Sequence, residues 1–384
     1  MRFEFATATR IVFGPGTLRE VGPLAREFGA RGLVVTGSDP RRAEPLQTVL
    51  REHGLGSTTY SARGEPEIET VRQGVALAKQ ENCSVVIAFG GGSALDAGKA
   101  IAAMLTNTGE LLDYLEVIGR GQALTKPSTP FVAIPTTAGT GTEVTRNAVL
   151  ASPPHRVKVS LRSPLMLPKV AVVDPELTYS LPPAVTASTG LDALTQLIEP
   201  YVSSRANPMT DALCVDGIRR AARSLRLAVE NGRDKAARTD MSVASLFGGL
   251  ALANAGLGAV HGFAGPIGGQ FPAPHGAVCA ALLPHVMETN LHALRLRQPA
   301  ADTLRRFEEV ARLVTANPMA SAEAGIKWVR KLVTDLQIPG LGRYGLTRQH
   351  TAELVSKASQ ASSMKANPIA LTPAEMAGIL EDAL

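Results

Sequence analysis

Val85-Val86-Ile87-Ala88-Phe89-Gly90-Gly91-Gly92-Ser93-Ala94-Leu95-Asp96-Ala97-Gly98-Lys99 decides the fold of this chain. The apolar run that ends at Phe89 reads as a strand covered on both faces, the habit of parallel sheets. Three glycines then let the backbone turn tightly and approach a ligand with no Cβ in the way. Ser93 reads as the N-cap of the following helix, with Asp96 completing a capping-box-like arrangement. The N–H groups of that helix start, helped by its dipole, form a seat for a pyrophosphate. The plainer alternative is a tight strand–helix turn with no ligand. The buried strand before the glycines and the polar cap after them favour the seat.

The same rhythm continues on both sides. Gly32–Thr36, Phe131–Pro135 and Val170–Asp174 are further strand candidates, and Glu67–Gln80 shows helical spacing. This is the βαβ alternation of a doubly wound parallel sheet. A second polar, glycine-containing segment, Ile134–Glu143, also follows a strand. Its hydroxyls, Thr136, Thr137 and Thr140 among them, suit the other side of a nucleotide cleft. After about Leu181 the texture changes to long Ala-, Leu-, Arg- and Glu-rich segments such as Asp211–Glu230, Ala301–Thr315 and Ala322–Leu336. The expected organisation is a Rossmann-like α/β domain over residues 1–179 and an all-helical domain over residues 180–384.

Composition supports an enzyme of two domains. The 384 residues exceed one ordinary core, and 45% hydrophobic with 19% charged residues allow a large one. A net charge of +5 is mild and dispersed, and 4% aromatic content leaves no stacking surface for nucleic acid. Cys83, Cys214 and Cys279 stand alone, without a CxxC pair, and read as buried thiols of a reducing compartment rather than bridges or zinc ligands. Charges at Arg2 and Glu4 and the lack of an apolar h-region argue against a secretory signal and for a cytoplasmic protein. Between Met241 and Met287 no Asp, Glu, Lys or Arg occurs. That length suggests a membrane span, but Gly248, Gly249, Asn254, Gly256, Gly258 and His261 interrupt it. A buried helix leading into a glycine-rich loop is the better reading.

Further pieces carry a family resemblance. They are Phe13-Gly14-Pro15-Gly16, the Gly90–Lys99 loop, Pro135–Glu143, Asp174-Pro175-Glu176-Leu177, and Gly190-Leu191-Asp192-Ala193-Leu194-Thr195. Asn207-Pro208, Asn254–Gly258, Val260-His261-Gly262, Pro274-His275-Gly276 and Leu283-Pro284-His285 follow in order. With these the chain resembles, from end to end, the iron-containing (group III) alcohol dehydrogenases, relatives of dehydroquinate synthase. The resemblance implies a nicotinamide cofactor held at Gly90, Gly91, Gly92 and Ser93, with Asp96, Thr136, Thr137 and Thr140 around it. It also implies a cleft between the domains and a homodimer. A divalent metal, iron or zinc, is implied at Asp192, Gln196, His261 and His275.

Two of those positions depart from the family. Gln196 stands where the family has histidine, and Gly265 replaces a further histidine four residues after His261. Asp192 and Gln196, spaced i,i+4, project from one helix face. An amide oxygen is a weaker donor to iron or zinc than an imidazole. Taken alone, Asp192 reads equally as a buried helix cap, His261 as a core histidine and His275 as a loop residue. His285 reads as packing near a helix start.

The implied reaction is hydride transfer between NAD or NADP and a small alcohol or its carbonyl compound. A metal would polarise the oxygen, or His261 or His275 would donate a proton to it. Lys158 matches a family lysine that would steady an anionic substrate, and reads otherwise as a surface lysine. The rival readings are a maleylacetate reductase, which could dispense with metal, and a catalytically silent nucleotide-binding protein. After the strand Leu33–Thr36, Gly37 leaves room, Ser38 can bond a phosphate and Arg41 or Arg42 can pair with it. NADPH is therefore expected to serve at least as well as NADH, unless Asp39 turns into the ribose.

Overall fold

The computed structural model describes residues 2–384. The chain forms two compact units. One comprises residues 6–137 and 141–179; the other comprises residues 180–384 with residues 138–140 and the start of the chain.

The first unit carries eight strands: β1 (Arg10–Phe13), β2 (Arg31–Thr36), β3 (Gly56–Ser61), β4 (Val85–Gly90), β5 (Phe131–Pro135), β6 (Asn147–Ser152), β7 (Val157–Arg162) and β8 (Val170–Val173). Six form one parallel sheet in the order β1-β8-β5-β4-β2-β3. The helices α1 (Val21–Arg26), α2 (Glu44–Glu52), α3 (Ile68–Gln80), α4 (Gly92–Thr106) and α5 (Leu111–Tyr114) accompany it. The apolar runs divide between two cores at the strand period of two. Val86 and Ala88 of β4 join one core with Leu33, Val35, Phe131 and Ala133. Val85, Ile87 and Phe89 join the other with Val34, Val132 and Ile134. The predicted doubly wound sheet is present. The pair β6–β7, an antiparallel hairpin, is an addition the sequence reading lacks.

β2 pairs with β3 on one side and with β4 on the other, while β4 continues to β5 and β8. The strand order therefore reverses between β2 and β4, and their carboxyl ends border the crevice where open α/β sheets bind ligands.

The second unit is helical, as expected: α6 (Pro183–Val202), α7 (Pro208–Glu230), α8 (Lys235–Ala255), α9 (Ala259–Gln270), α10 (His275–Arg297), α11 (Asp302–Thr315), α12 (Ala322–Asp335), α13 (Thr351–Gln360) and α14 (Pro373–Asp382). α7 starts on a capping box of Asn207 and Thr210 with Pro208 in its first turn. The charge-free stretch is not one span. α8 and α9 meet at 100°, across Gly256, whose φ of 74° suits glycine. Among the described residues no single helix is long and apolar enough to cross a membrane.

Candidate active site

At the switch point the glycines have separable tasks. A Cβ on Gly90 would lie 2.7 Å from Ala94 Cβ, and one on Gly98 would lie 2.8 Å from Ala88 Cβ. These two glycines let α4 lie close against β4. Gly91 differs, since its Cβ would meet only Thr137, at 3.4 Å. Gly37 at the end of β2 has nothing within 4 Å of a built Cβ, and Ser38 is exposed. Thr136 N–H donates to Gly90 C=O at 2.9 Å, so the two polar loops meet.

The cap differs from the sequence reading. α4 begins two residues early, with Gly91 rather than Ser93 as N-cap and no side-chain cap bond. The bond from Leu95 N–H to Gly91 C=O is 3.1 Å long, and the N–H groups of Gly92, Ser93 and Ala94 precede it. Asp96 caps nothing. Its Oδ1 accepts from Thr142 Oγ1 at 2.6 Å and its Oδ2 from Val149 N–H at 3.0 Å. Buried Lys99 donates to Thr142 O, Thr145 Oγ1 and Asn147 O at 2.7, 2.9 and 2.8 Å. Asp96 and Lys99 thus tie α4 to the segment after β5 and leave the helix start clear. Thr140 groups with the helical unit, where Ala138 joins the core and a Cβ on Gly139 would lie 2.8 Å from Thr189.

Two charged expectations change. Lys158, on β7, is not an unpaired anion clamp. Its ammonium lies 2.9 Å from Glu65 and its side chain is 7% exposed. Asp39 caps the short turn after β2 and holds Arg41 through Nε at 2.8 Å and Nη2 at 3.1 Å. Arg41, the cation expected to greet a 2′-phosphate, is already engaged by a carboxylate.

The second cluster lies wholly in the helical unit. Asp192 and Gln196 occupy neighbouring turns of α6, His261 stands in the first turn of α9, and His275 opens α10. Asp192 and Gln196 are 1% and 2% exposed, and Asp192 Oδ1 and Gln196 Oε1 are buried without a hydrogen-bond partner. His261 Nε2 lies 3.4 Å and His275 Nε2 3.7 Å from Asp192 Oδ1. Orphaned acceptors of this kind carry a desolvation cost that a bound cation removes. The donor set therefore fits a divalent ion.

Two members escaped the sequence reading. Glu199, one further turn along the Asp192 face, accepts His261 Nδ1–H at 2.6 Å and Val260 N–H at 2.7 Å. A spacing of seven on a predicted helix was the available signal. Cys279, read from the sequence as a lone buried thiol rather than a ligand, joins the cluster. Its Sγ lies 3.8 Å from His261 Nε2 and 3.7 Å from His275 Nε2. The ligand atoms of Asp192, His261, His275 and Cys279 all lie within 4.8 Å of one another. The His275–Cys279 spacing of four at a helix start marked the pair, since such residues share a face. His285, by contrast, sits well inside α10, where burial lowers its pKa and Nδ1 has no partner.

The electrostatics favour positive charge at the cluster's centre. Burial alone would raise Asp192, but His275 and His261 outweigh it and bring the carboxyl down to about 2. Burial would lower His275, yet Cys279 and Asp192 push it up to about 9. His261 is raised well above its ordinary value against the same burial, by Cys279 and Glu199. The same acidic groups that hold these protons would draw a divalent metal, which would take the protons' place.

Comparison with known proteins agrees with this geometry. Residues 8–175 match the family model described as iron-containing alcohol dehydrogenase, and residues 186–384 match the Fe-containing alcohol dehydrogenase family, C-terminal. Long-chain-alcohol dehydrogenase 1 of Geobacillus thermodenitrificans is 38% identical, covering 98% of this chain and 97% of that protein. The crystal structure of a 1,3-propanediol oxidoreductase superposes with a TM-score of 0.93 at 35% identity, covering 100% of both chains. Sulfoacetaldehyde reductase of Bifidobacterium kashiwanohense, solved in complex with NAD+, superposes at 0.85 with 28% identity over 99% of this chain and 98% of that one.

Proposed function

This chain belongs to the iron-containing alcohol dehydrogenase family, and we propose on that premise that it interconverts a small alcohol and its aldehyde or ketone with NAD(H). The observation that carries the site assignment is the meeting of Asp192, His261 and His275, whose ligand atoms lie within 4.8 Å of one another, with Asp192 Oδ1 buried and without a hydrogen-bond partner. Asp192, His261 and His275 would hold a divalent metal, iron first by family, with Gln196 Oε1 available as a further oxygen donor. Bound there, such an ion supplies Lewis-acid polarisation of the substrate oxygen.

The chain's own residues prepare that chemistry. Glu199 holds the Nδ1 proton of His261, which leaves Nε2 to face Asp192. Asp192, kept ionised at neutral pH, holds the negative charge that pairs with a cation or with a protonated imidazole. The Gly90–Ser93 turn and the start of α4 would receive the cofactor pyrophosphate, with Thr136 and Thr137 beside it. Hydride chemistry belongs to the nicotinamide; the protein supplies orientation.

NAD(H) is the cofactor of this reading because Asp39, three residues past the end of β2, presents a carboxylate there and pairs with Arg41. A solved relative carries NAD+. Asp39 repels a 2′-phosphate and engages Arg41, one of the two arginines that would attract one. The residues after Ser180 form the metal and substrate domain, and the protein acts as a homodimer. Oxidation of NADH with a panel of aldehydes and with maleylacetate tests the reaction. Turnover of aldehydes supports the proposal. Reduction of maleylacetate alone would replace it, and no turnover with any carbonyl compound would leave a silent nucleotide-binding protein.

A further inference from the structure

Cys279 is the one donor of the cluster with no role in the preceding scheme. It is 0% exposed and lies one helical turn beyond His275. Metal-bound donors at ~2.0–2.3 Å in a tetrahedron stand about 3.3–3.6 Å apart. The separations here are 3.4 Å for Asp192–His261, 3.7 Å for Asp192–His275, 3.8 Å for His261–Cys279 and 3.7 Å for His275–Cys279. Four side chains from three helices therefore bring one donor each within 4.8 Å of all the others, and four of the six separations lie near the edge length of a coordination tetrahedron. Gln196, at the position where the resemblance implies histidine, offers only a neutral oxygen.

We infer that the Cys279 thiolate is a direct ligand of the metal, taking the place of the imidazole absent at position 196. This rests on the reading that the cluster holds a divalent ion. On binding, the sulfur–hydrogen bond breaks, the proton leaves to solvent and the sulfur electron pair forms the bond to the metal. No oxidation change occurs. An Asp-His-His-Cys set carries two anionic donors, one of them soft. It favours iron, zinc, cobalt or cadmium over magnesium and manganese, which take oxygen donors. Gln196 is then not the fourth ligand.

The test uses the full-length protein stripped with chelator and titrated with cobalt(II), read by absorption. A thiolate ligand produces a near-ultraviolet sulfur-to-cobalt charge-transfer band that saturates at one cobalt per chain. Cys279→Ala should lose that band and bind cobalt and zinc at least about tenfold more weakly, since even outer partners of a ligand are worth that much. Circular dichroism confirms that the variant is folded. Should Cys279→Ala fail to fold, X-ray absorption of the zinc-loaded unaltered protein decides, through a sulfur neighbour at ~2.3 Å beside nitrogen and oxygen at ~2.0 Å. One tightly bound cobalt without the charge-transfer band, or a band that survives in Cys279→Ala, overturns the inference. The first outcome leaves the Asp–His–His site and the dehydrogenase reading intact. A protein that binds no divalent ion at all overturns the metal reading as well, and an absence of aldehyde turnover in a protein that shows the band overturns only the dehydrogenase.

Discussion

Glu199 accepts the Nδ1 proton of His261 at 2.6 Å while its other oxygen accepts Val260 N–H at 2.7 Å. One carboxylate thus fixes both the ring tautomer of a metal-site histidine and the backbone that opens its helix. Carboxylate–histidine pairs of this kind orient the ligand and raise its basicity.

Glu199→Ala should therefore lower metal affinity about 10–100-fold although Glu199 touches no metal. Metal content after dialysis against graded chelator measures it. Unchanged retention in a folded variant would show that His261 is oriented without Glu199.

Gln196→His should raise metal occupancy in the protein as purified. The new imidazole would stand where the Gln196 amide oxygen now lies buried without a partner, and imidazole is the better donor to a borderline ion. Elemental analysis of the two proteins, prepared alike, gives the comparison. Equal or lower occupancy in the variant would remove position 196 from the metal's surroundings.

The glycines of the phosphate loop should separate function from stability. Gly91→Val meets only Thr137, so it should keep the fold and abolish dinucleotide binding by calorimetry. Gly98→Val drives a side chain into Ala88 and Phe131 and should destabilise the protein by about 1–3 kcal/mol in denaturant unfolding. Native NADH affinity in Gly91→Val would contradict the seat.

Cofactor choice should turn on one pair. Asp39→Ala removes the carboxylate that engages Arg41 and frees the guanidinium for a 2′-phosphate. The ratio of kcat/KM for NADPH over NADH should rise at least about tenfold, as expected when a like charge is exchanged for an available cation. An unchanged ratio would place the selectivity elsewhere on the β2–β4 crevice.

Glu143 sets a pH dependence of stability. It is 2% exposed, and burial pushes its carboxyl up to about 7 against the pull of its own backbone bond and of Lys99. Between the ordinary value near 4.5 and about 7 the folded chain holds a proton that the unfolded chain releases. The stability this group contributes is thus present below that window and lost as pH rises through it. Glu143→Gln should gain stability relative to the unaltered protein by on the order of 2–3 kcal/mol above pH ~7, and little below pH ~4.5. Parallel urea unfolding curves across that range, with a constant difference between the two proteins, would exclude Glu143 as the source.

Local pattern alone determined a large part of this protein. The apolar run of β4, the glycines behind it and the change to helical texture after Leu181 specify a parallel sheet, a phosphate-type turn and a helical second half. Each depends on residues within one or two turns of one another, where periodicity and backbone freedom act directly. Asp192, His261 and His275 were legible through family motifs. Their meeting, and the recruitment of Glu199 and Cys279, was decided by tertiary structure, because it depends on the 100° break between α8 and α9 and on where α10 begins. The same holds for Asp96 and Lys99, which the sequence places at the start of a helix, Asp96 as part of its cap, and which act as buried ties to Thr142, Thr145, Asn147 and Val149. It holds too for Lys158, whose partner Glu65 lies on another segment. Hydrogen-bond and charge partners are chosen by distance in space, and burial makes each choice costly to leave unmade; sequence spacing carries neither quantity.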